Sequence, residues 1–266
     1  MKDKSLSLIV PALNEEGNIG TVCEELSRAA EKRLKDYEIL VFDDASRDKT
    51  SEVVKNLQKK NPHIVLIRNH SSQGLGRIYW SGIMRARSKY AMLIPGDNQV
   101  VAESLHDIFD AVGTVDVIVT YIKNMEVRPF WRQFVSKVFT GLLNFLFGFK
   151  LQYFNGPCVL RTDLARQYVP YTSGYAYMAV MLVKLLKLGA RYKQMGFDLQ
   201  ERTYGSTKAF RVKNILSVIK NVTLLYWNVT ICRQLKGTSH KGMSVPENGL
   251  KNAVVNTNTQ TEECNR

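Results

Sequence analysis

Three runs in this chain end an apolar stretch in acidic or amide side chains. Leu93-Ile94-Pro95-Gly96-Asp97-Asn98-Gln99 leaves one carboxylate, Asp97, beyond an apolar stretch that starts at Tyr90. Ile39-Leu40-Val41-Phe42 leads into Asp43-Asp44-Ala45-Ser46-Arg47-Asp48-Lys49-Thr50, and Leu6-Ser7-Leu8-Ile9-Val10 leads into Pro11-Ala12-Leu13-Asn14-Glu15-Glu16. In an open α/β sheet, ligands bind outside the carboxyl ends of the strands, so three acid-bearing strand ends point to one shared crevice. Helix capping accounts for part of the pattern. Asn14 can cap a following helix with Glu15 and Glu16 facing its dipole, and Ser46 or Asp48 can cap the next. Capping needs only one residue per helix, however, and leaves the adjacent carboxylates Asp43 and Asp44 unexplained.

Further along, Gly74-Leu75-Gly76-Arg77 lacks the third glycine of a dinucleotide fingerprint and the lysine of a phosphate-binding Walker loop. Arg77 is either a diphosphate ligand or a solvated arginine. Arg128, Arg132 and Lys137 flank Phe130, Trp131 and Phe134. Cations interleaved with aromatics suit stacked nucleic-acid bases or a membrane interface, where rings sit at headgroup depth and cations meet lipid phosphate. The apolar stretch Phe139 to Phe149 favours the membrane over nucleic acid. Glu201-Arg202-Thr203-Tyr204-Gly205-Ser206-Thr207-Lys208 forms a basic, turn-rich run.

Taken together, residues 5 to 210 resemble the family 2 glycosyltransferases, and most of all their polyprenyl-phosphate branch, the dolichyl-phosphate mannosyl- and glucosyltransferases. Asp43-Asp44-Ala45-Ser46-Arg47-Asp48-Lys49-Thr50 matches the family's Asp-Asp-x-Ser-x-Asp-x-Thr at each fixed position. Gly205, Thr207 and Lys208 occupy the Gly, Ser and Lys places of the branch's Arg-x-x-Gly-x-Ser-Lys loop, and Gln99 matches the glutamine that follows its metal motif. The resemblance implies a GT-A-type α/β domain that moves a hexose, with inversion, from a nucleotide diphosphate sugar to a polyprenyl phosphate. It implies that Pro11 and Ala12 face the base and ribose, that Glu15 holds the turn, that Asp43 and Asp44 bind the nucleoside, and that Arg77 reaches the diphosphate. Arg202 and Lys208 would clamp the diphosphate as part of the catalytic set with Asp97, and Arg128 and Arg132 would receive the acceptor phosphate.

A magnesium or manganese ion would sit on Asp97, helped by Gln99. Here the chain departs from the family, because Pro95 stands where the first acid of Asp-x-Asp is usual. Magnesium takes few protein ligands when phosphates and waters complete its shell, so the substitution implies weak metal binding without donor. A second departure concerns the acceptor. Transfer to a sugar hydroxyl needs a general base, which the family places just before the helix that here reads Tyr177-Met178-Ala179-Val180-Met181, and no acid lies there. An ionised phosphate needs no base, so the gap favours a lipid phosphate. Two other readings stay open: a family 2 enzyme acting on a glycan or glycolipid hydroxyl, and a non-catalytic basic membrane- or nucleic-acid-binding module on a decayed transferase fold.

The elements that must hold these residues follow from composition and period. The 266 residues fit one large α/β domain with a tail, and 45% hydrophobic residues supply its core. A net charge of +13 favours an anionic partner. Four scattered cysteines argue against a disulfide framework or metal cluster and for a reducing compartment. Met1-Lys2-Asp3-Lys4 runs straight into a strand, so no secretory signal is expected and the sequons at Asn69, Asn221 and Asn228 read as chance matches. Up to Tyr121 the pattern alternates: strands Leu6–Pro11, Tyr37–Phe42, Ile64–Arg68, Tyr90–Ile94 and Val115–Tyr121, with helices 17–35, 49–60, 74–87 and 102–112 between them. Such alternation predicts a mostly parallel sheet wrapped by helices. Beyond it come a short strand at 156–160, a helix over 178–188 and a strand over 191–201. The transferase domain is expected to span 1–211 and to include an interface helix at about 129–149. A second amphipathic helix at 212–236 would lie on the membrane, with Leu224, Leu225, Tyr226 and Trp227 among its apolar residues, and 237–266 would be a disordered tail. Neither helix is apolar enough to span a bilayer, which implies peripheral attachment at the cytoplasmic side.

Overall fold

The computed structural model describes residues 3–167, 176–201, 222, 223, 225 and 226. Arg202 and Lys208 of the basic run, most of the helix expected at 212–236 with Leu224 and Trp227, and the 237–266 tail lie outside the described residues. Seven strands form one sheet: β1 (Ser5–Ala12), β2 (Asp36–Asp43), β3 (Ile64–Arg68), β4 (Tyr90–Leu93), β5 (Val117–Ile122), β6 (Val159–Arg161) and β7 (Tyr192–Phe197). Their spatial order is β3-β2-β1-β4-β6-β5-β7. Every neighbouring pair is parallel except those of β6, which lies antiparallel between β4 and β5.

Helices cover both faces: α1 (Ile19–Arg33), α2 (Thr50–Lys60), α3 (Leu75–Arg85), α4 (His106–Ala111), α5 (Phe130–Phe147), α6 (Thr162–Gln167) and α7 (Tyr177–Lys187). Alternation along the strands divides the core into two layers. Leu6, Leu8 and Val10 of β1 pack with Ile19 and Leu26 of α1, Val54 of α2 and Phe109 of α4. Ile9 points the other way, toward Ile78 and Ile83 of α3, Leu143 and Phe147 of α5, and α7. The near-continuous apolar runs of β1 and β2 are what a sheet covered on both faces requires.

Several expectations change in detail. The helix expected over 102–112 starts as a 3-10 turn, Ala102–Leu105, before α4. The last strand stops at Phe197, and α6 was not foreseen. Asn14 does not cap α1; the cap position is Asn18, and Asn14 sits at φ 58 with its side-chain oxygen accepting the Arg47 N–H at 2.9 Å. Of the expected segment 212–236 only 222, 223, 225 and 226 are described: Leu225 is buried in the core with Val222, and the half-buried Tyr226 ring meets Phe147 edge-on at 6.0 Å. Among the described residues no helix is long and apolar enough to cross a membrane.

Candidate active site

The chain runs outward from β1 to β2 and β3, then returns to β4 on the other side of β1. This reversal is the topological switch point at which α/β sheets open a ligand crevice. Backbone hydrogen bonds stitch the strand ends there: Asp44 N–H to the Ala12 carbonyl at 2.8 Å, Gly96 N–H to the Pro11 carbonyl at 3.1 Å, and Asn69 N–H to the Asp43 carbonyl at 2.9 Å. Pro11, Ala12, Asp43, Asp44 and the Asp97 turn are thereby brought to one edge, as the sequence implied. A Cβ at 96 would be crowded, 3.0 Å from the Pro11 carbonyl oxygen and 3.1 Å from Ile19 Cδ1. Among the described residues three that are not glycine have positive φ, namely Asn14, Ala45 and Asn98. All three lie on this edge, and backbone strain of this kind collects at functional sites.

The loops after β1 and β2 interlock. Asn14 N–H donates to Ser46 Oγ at 2.9 Å, Glu15 N–H to Thr50 Oγ1 at 2.9 Å, and Lys49 N–H to the Glu16 carboxylate at 2.9 Å. Neither Ser46 nor Asp48 is the cap of α2, whose N-cap position is Lys49; Asp48 lies one residue before it and accepts the Glu16 and Thr50 N–H groups. The buried Glu15 carboxylate accepts the Asn18 side-chain amide at 2.7 Å and holds the turn before α1.

Both adjacent acids are engaged by the protein itself. Asp43 is fully enclosed. It accepts the Ser46 N–H at 2.8 Å and the Ser51 hydroxyl, and Arg68 Nε stands 3.8 Å away. Asp44 accepts four hydrogen bonds: Asn69 Nδ2 at 2.9 Å and Gln73 N–H at 2.7 Å on Oδ1, Ser72 Oγ at 2.7 Å and Gly74 N–H at 3.2 Å on Oδ2. A carboxylate has about four lone-pair sites, and here all are used by the protein itself. Burial raises its pKa, but the bonds from Gln73, Asn69, Ser72 and Gly74 outweigh that and hold the group below the usual carboxylate range. The pair therefore builds the crevice walls, Asp43 at the start of α2 and Asp44 through the loop 69–74 that opens α3. The signal for that loop was present in Asn69-His70-Ser71-Ser72-Gln73-Gly74, a run of turn-forming residues ending in a glycine at φ 79. Arg77, in the first turn of α3, is exposed and donates to the Gln73 side chain at 3.3 Å.

Across the crevice lies the start of α5. Arg128 donates to the Tyr153 hydroxyl at 2.9 Å, with its guanidinium 5.9 Å from the ring centre. Burial and the neighbouring Arg128 charge pull the Arg132 guanidinium below its ordinary pKa, while Tyr153 and Asp97 act the other way. Arg132 is thus an electrostatic neighbour of both Arg128 and Asp97, and Asp97 is separate in sequence from the two arginines. Tyr153, which orients Arg128, was missed because it falls in an irregular stretch with no periodic signal. From the same turn α5 exposes an apolar stripe at helical spacing, Phe130, Phe134, Val138, Leu142 and Phe145, with Phe130 81% and Phe145 86% exposed. Its other side buries Thr140, Leu143 and Phe147.

Asp97 Oδ1 accepts the Gln99 N–H at 3.4 Å, which turns the carboxylate back over its own loop. Among the described residues no three His, Cys, Asp or Glu side chains gather into a metal site. A lone carboxylate fits an ion that brings most of its oxygens as phosphate and water, and does not fit a permanently bound one.

Residues 7–168, more than half of the chain, match the profile described as Glycosyl transferase family 2. The chain belongs to this family. Among its relatives, a dolichyl-phosphate beta-glucosyltransferase of Trichomonas vaginalis is 33% identical over 97 residues, 35% of this chain and 30% of the relative. A dolichol-phosphate mannosyltransferase of Pyrococcus furiosus is 30% identical over 139 residues, 50% of this chain and 38% of the relative. An uncharacterized protein of Methanocaldococcus jannaschii is 26% identical over 231 residues, 80% of this chain and 96% of that protein. The matches to the named dolichyl-phosphate enzymes thus span about a third of those enzymes' length. In fold, the chain is similar to the GT-A enzyme glucosyl-3-phosphoglycerate synthase of Mycobacterium tuberculosis, solved with manganese, uridine diphosphate and glucosyl-3-phosphoglycerate. The TM-score is 0.60 at 17% identity, covering 83% of this chain and 79% of that one.

Proposed function

We propose that this family 2 glycosyl transferase moves a hexose, with inversion, from a nucleotide diphosphate sugar to a polyprenyl phosphate at a membrane surface. The observation that carries the reading is the start of α5. Arg132, within electrostatic reach of Asp97 and of Arg128, sits in the first turn of α5, Arg128 lies two residues before that helix, and the helix's outer face is an exposed apolar stripe. A lipid lying along Phe130, Phe134 and Val138 would bring its phosphate to the two arginines. Cations close to an anionic surface contribute about 1 kcal/mol each, and an apolar helix face adds binding in proportion to the area it buries.

The donor would lie over the ends of β1 and β2, between the loops that Asp43 and Asp44 hold in place. Arg77 is available to its diphosphate from the first turn of α3, and Arg202 and Lys208 are assigned to the same group by their match to the family loop. Asp97 and Gln99 would hold a magnesium or manganese ion on the diphosphate, where it would neutralise charge on the leaving group. In the transfer the bond between the sugar's anomeric carbon and the diphosphate breaks as an acceptor phosphate oxygen attacks from the opposite face. That oxygen is already ionised, so no side chain has to take a proton, consistent with the lack of an acid in Tyr177–Met181. Guanidinium and ammonium groups aimed at charge that develops on a leaving group stabilise the transition state without rearranging.

The test is a panel of uridine and guanosine diphosphate hexoses incubated with the protein, manganese and a short polyprenyl phosphate in anionic vesicles. Transfer to the lipid phosphate is expected, and the free polyprenol should not react. Transfer to a water-soluble glycan by protein that ignores vesicles would overturn the reading in favour of a hydroxyl acceptor.

A further inference from the structure

Behind the Asp97 turn, two segments far apart in sequence meet along a short seam. Val100 and Leu199 form an isolated antiparallel bridge. Val101 N–H donates to the Asp198 carbonyl at 3.1 Å and Gln200 N–H to the Gln99 carbonyl at 2.8 Å. Gln200 then adds its side chain, with Nε2 donating to the Asn98 carbonyl at 2.8 Å. The two residues that follow Asp97 therefore have both their carbonyls held by one residue. Leu199 is itself pinned by a reciprocal pair with Asn124, its N–H on Oδ1 at 2.8 Å and its carbonyl on Nδ2 at 2.7 Å.

Asn98 has φ 56, a left-handed conformation that asparagine adopts more readily than most residues with a Cβ. The Gln99 N–H donates to Asp97 Oδ1 at 3.4 Å, so the backbone of 98 and 99 contributes to the direction of that carboxylate. In a motif with two acids the second carboxylate would share that task. Here Pro95 provides none.

We propose that Gln200 is a positioning residue: by holding the Asn98 carbonyl it fixes the direction of the Asp97 carboxylate toward a metal-bearing nucleoside diphosphate. This rests on the assignment of Asp97 to the metal given above. Met at 200 would fill the same space with no donor. Glu would keep the shape but set a carboxylate against a carbonyl. Both variants keep the backbone bond to Gln99, so the seam persists.

The experiment is calorimetric titration of the full chain with UDP and with GDP, each in manganese and in chelator. The readout is the manganese-dependent gain in affinity. Gln200→Met is expected to reduce that gain by about three- to tenfold, the equivalent of one neutral hydrogen bond, with affinity in chelator unchanged. Gln200→Glu should reduce it at least as much and serves if the Met variant folds poorly. In an Asp97→Asn background Gln200→Met should have no further effect, because the group it positions is gone. If Asp97→Asn abolishes the gain while both Gln200 variants retain it in full, the inference about Gln200 is wrong and the metal assignment stands. A wild-type protein whose affinity is the same in manganese and in chelator would overturn the assignment of Asp97 itself, and Gln200 with it.

Discussion

Replacing Asp44 with asparagine separates two accounts of the paired acids. If Asp44 mainly contacted the nucleoside, Asp44→Asn would weaken donor binding and leave stability alone. The structure predicts a different order of effects. Each Asp44 oxygen takes two donors from the loop 69–74. An amide keeps one acceptor oxygen and replaces the other with an NH2 group. With the NH2 toward Ser72 and Gly74, the Ser72 hydroxyl can rotate and accept, but the Gly74 N–H is left facing a donor. An orphaned buried donor costs about 1–3 kcal/mol, and the remaining bonds lose charge assistance, which roughly doubles such bonds. The expected loss is about 3 kcal/mol, read as the shift in urea unfolding at pH 7, with amide exchange rising first at 73 and 74. The sign with pH follows from the depressed pKa of Asp44. The stabilisation it provides is complete above the unfolded value of about 3.9 and is lost as pH falls toward the folded value, so the gap between wild type and variant should narrow below about pH 4. A variant within about 0.5 kcal/mol of wild type, an ordinary surface effect, yet with weakened nucleotide binding, would refute the structural account and restore direct contact.

Other consequences are open to measurement. Activity should vanish in chelator and return with manganese or magnesium; full turnover in chelator would mean that the cations of the site need no metal. Phe134→Glu with Phe145→Glu, both exposed on α5, should leave unfolding unchanged and cut flotation with anionic vesicles at least tenfold, since burying each ring is worth about 1.5–3 kcal/mol. Unaltered flotation would remove α5 from the membrane contact. Gly156→Ala should destabilise by about 1–3 kcal/mol or more, because its Cβ would lie 2.4 Å from Thr120 Oγ1 and 2.6 Å from the Thr120 carbonyl oxygen. Gly141→Ala, on α5 with nothing within 4 Å, should instead stabilise by about 1 kcal/mol.

The first five strands and the helices between them were readable because each is a local pattern. An apolar run such as Ile39–Phe42 closed by turn residues has one reasonable conformation in an alternating chain, and the observed strand ends differ from the expected ones by about two residues or fewer. The place of β6 was not readable. Val159–Arg161 lies between β4 and β5, antiparallel to both, and no local property of three residues states its neighbours. The same limit explains Tyr153 and Gln200. Their types are unremarkable and their partners lie 25 and 102 positions away.

A deeper reason why the site was only partly legible lies in what a motif records. Asp43-Asp44-Ala45-Ser46-Arg47-Asp48-Lys49-Thr50 matches its family pattern at each fixed position and lies at the sheet's switch point. The pattern does not say why each residue is there. Ser46, Asp48 and Thr50 bond to the loop after β1, Asp43 to the start of α2, and Asp44 to the loop before α3. Three loops that must meet a ligand are thus held by short polar side chains, because backbone groups at a sheet edge have no ladder partner and must find one elsewhere. A departure from the motif then acquires a physical meaning. Pro95 removes a carboxylate from the turn but leaves the turn itself, since Gly96 still bonds to Pro11 and Gln200 still holds Asn98 and Gln99. What such a change weakens is the charge available to a metal, and the geometry that aims the one remaining carboxylate, Asp97, becomes correspondingly more important.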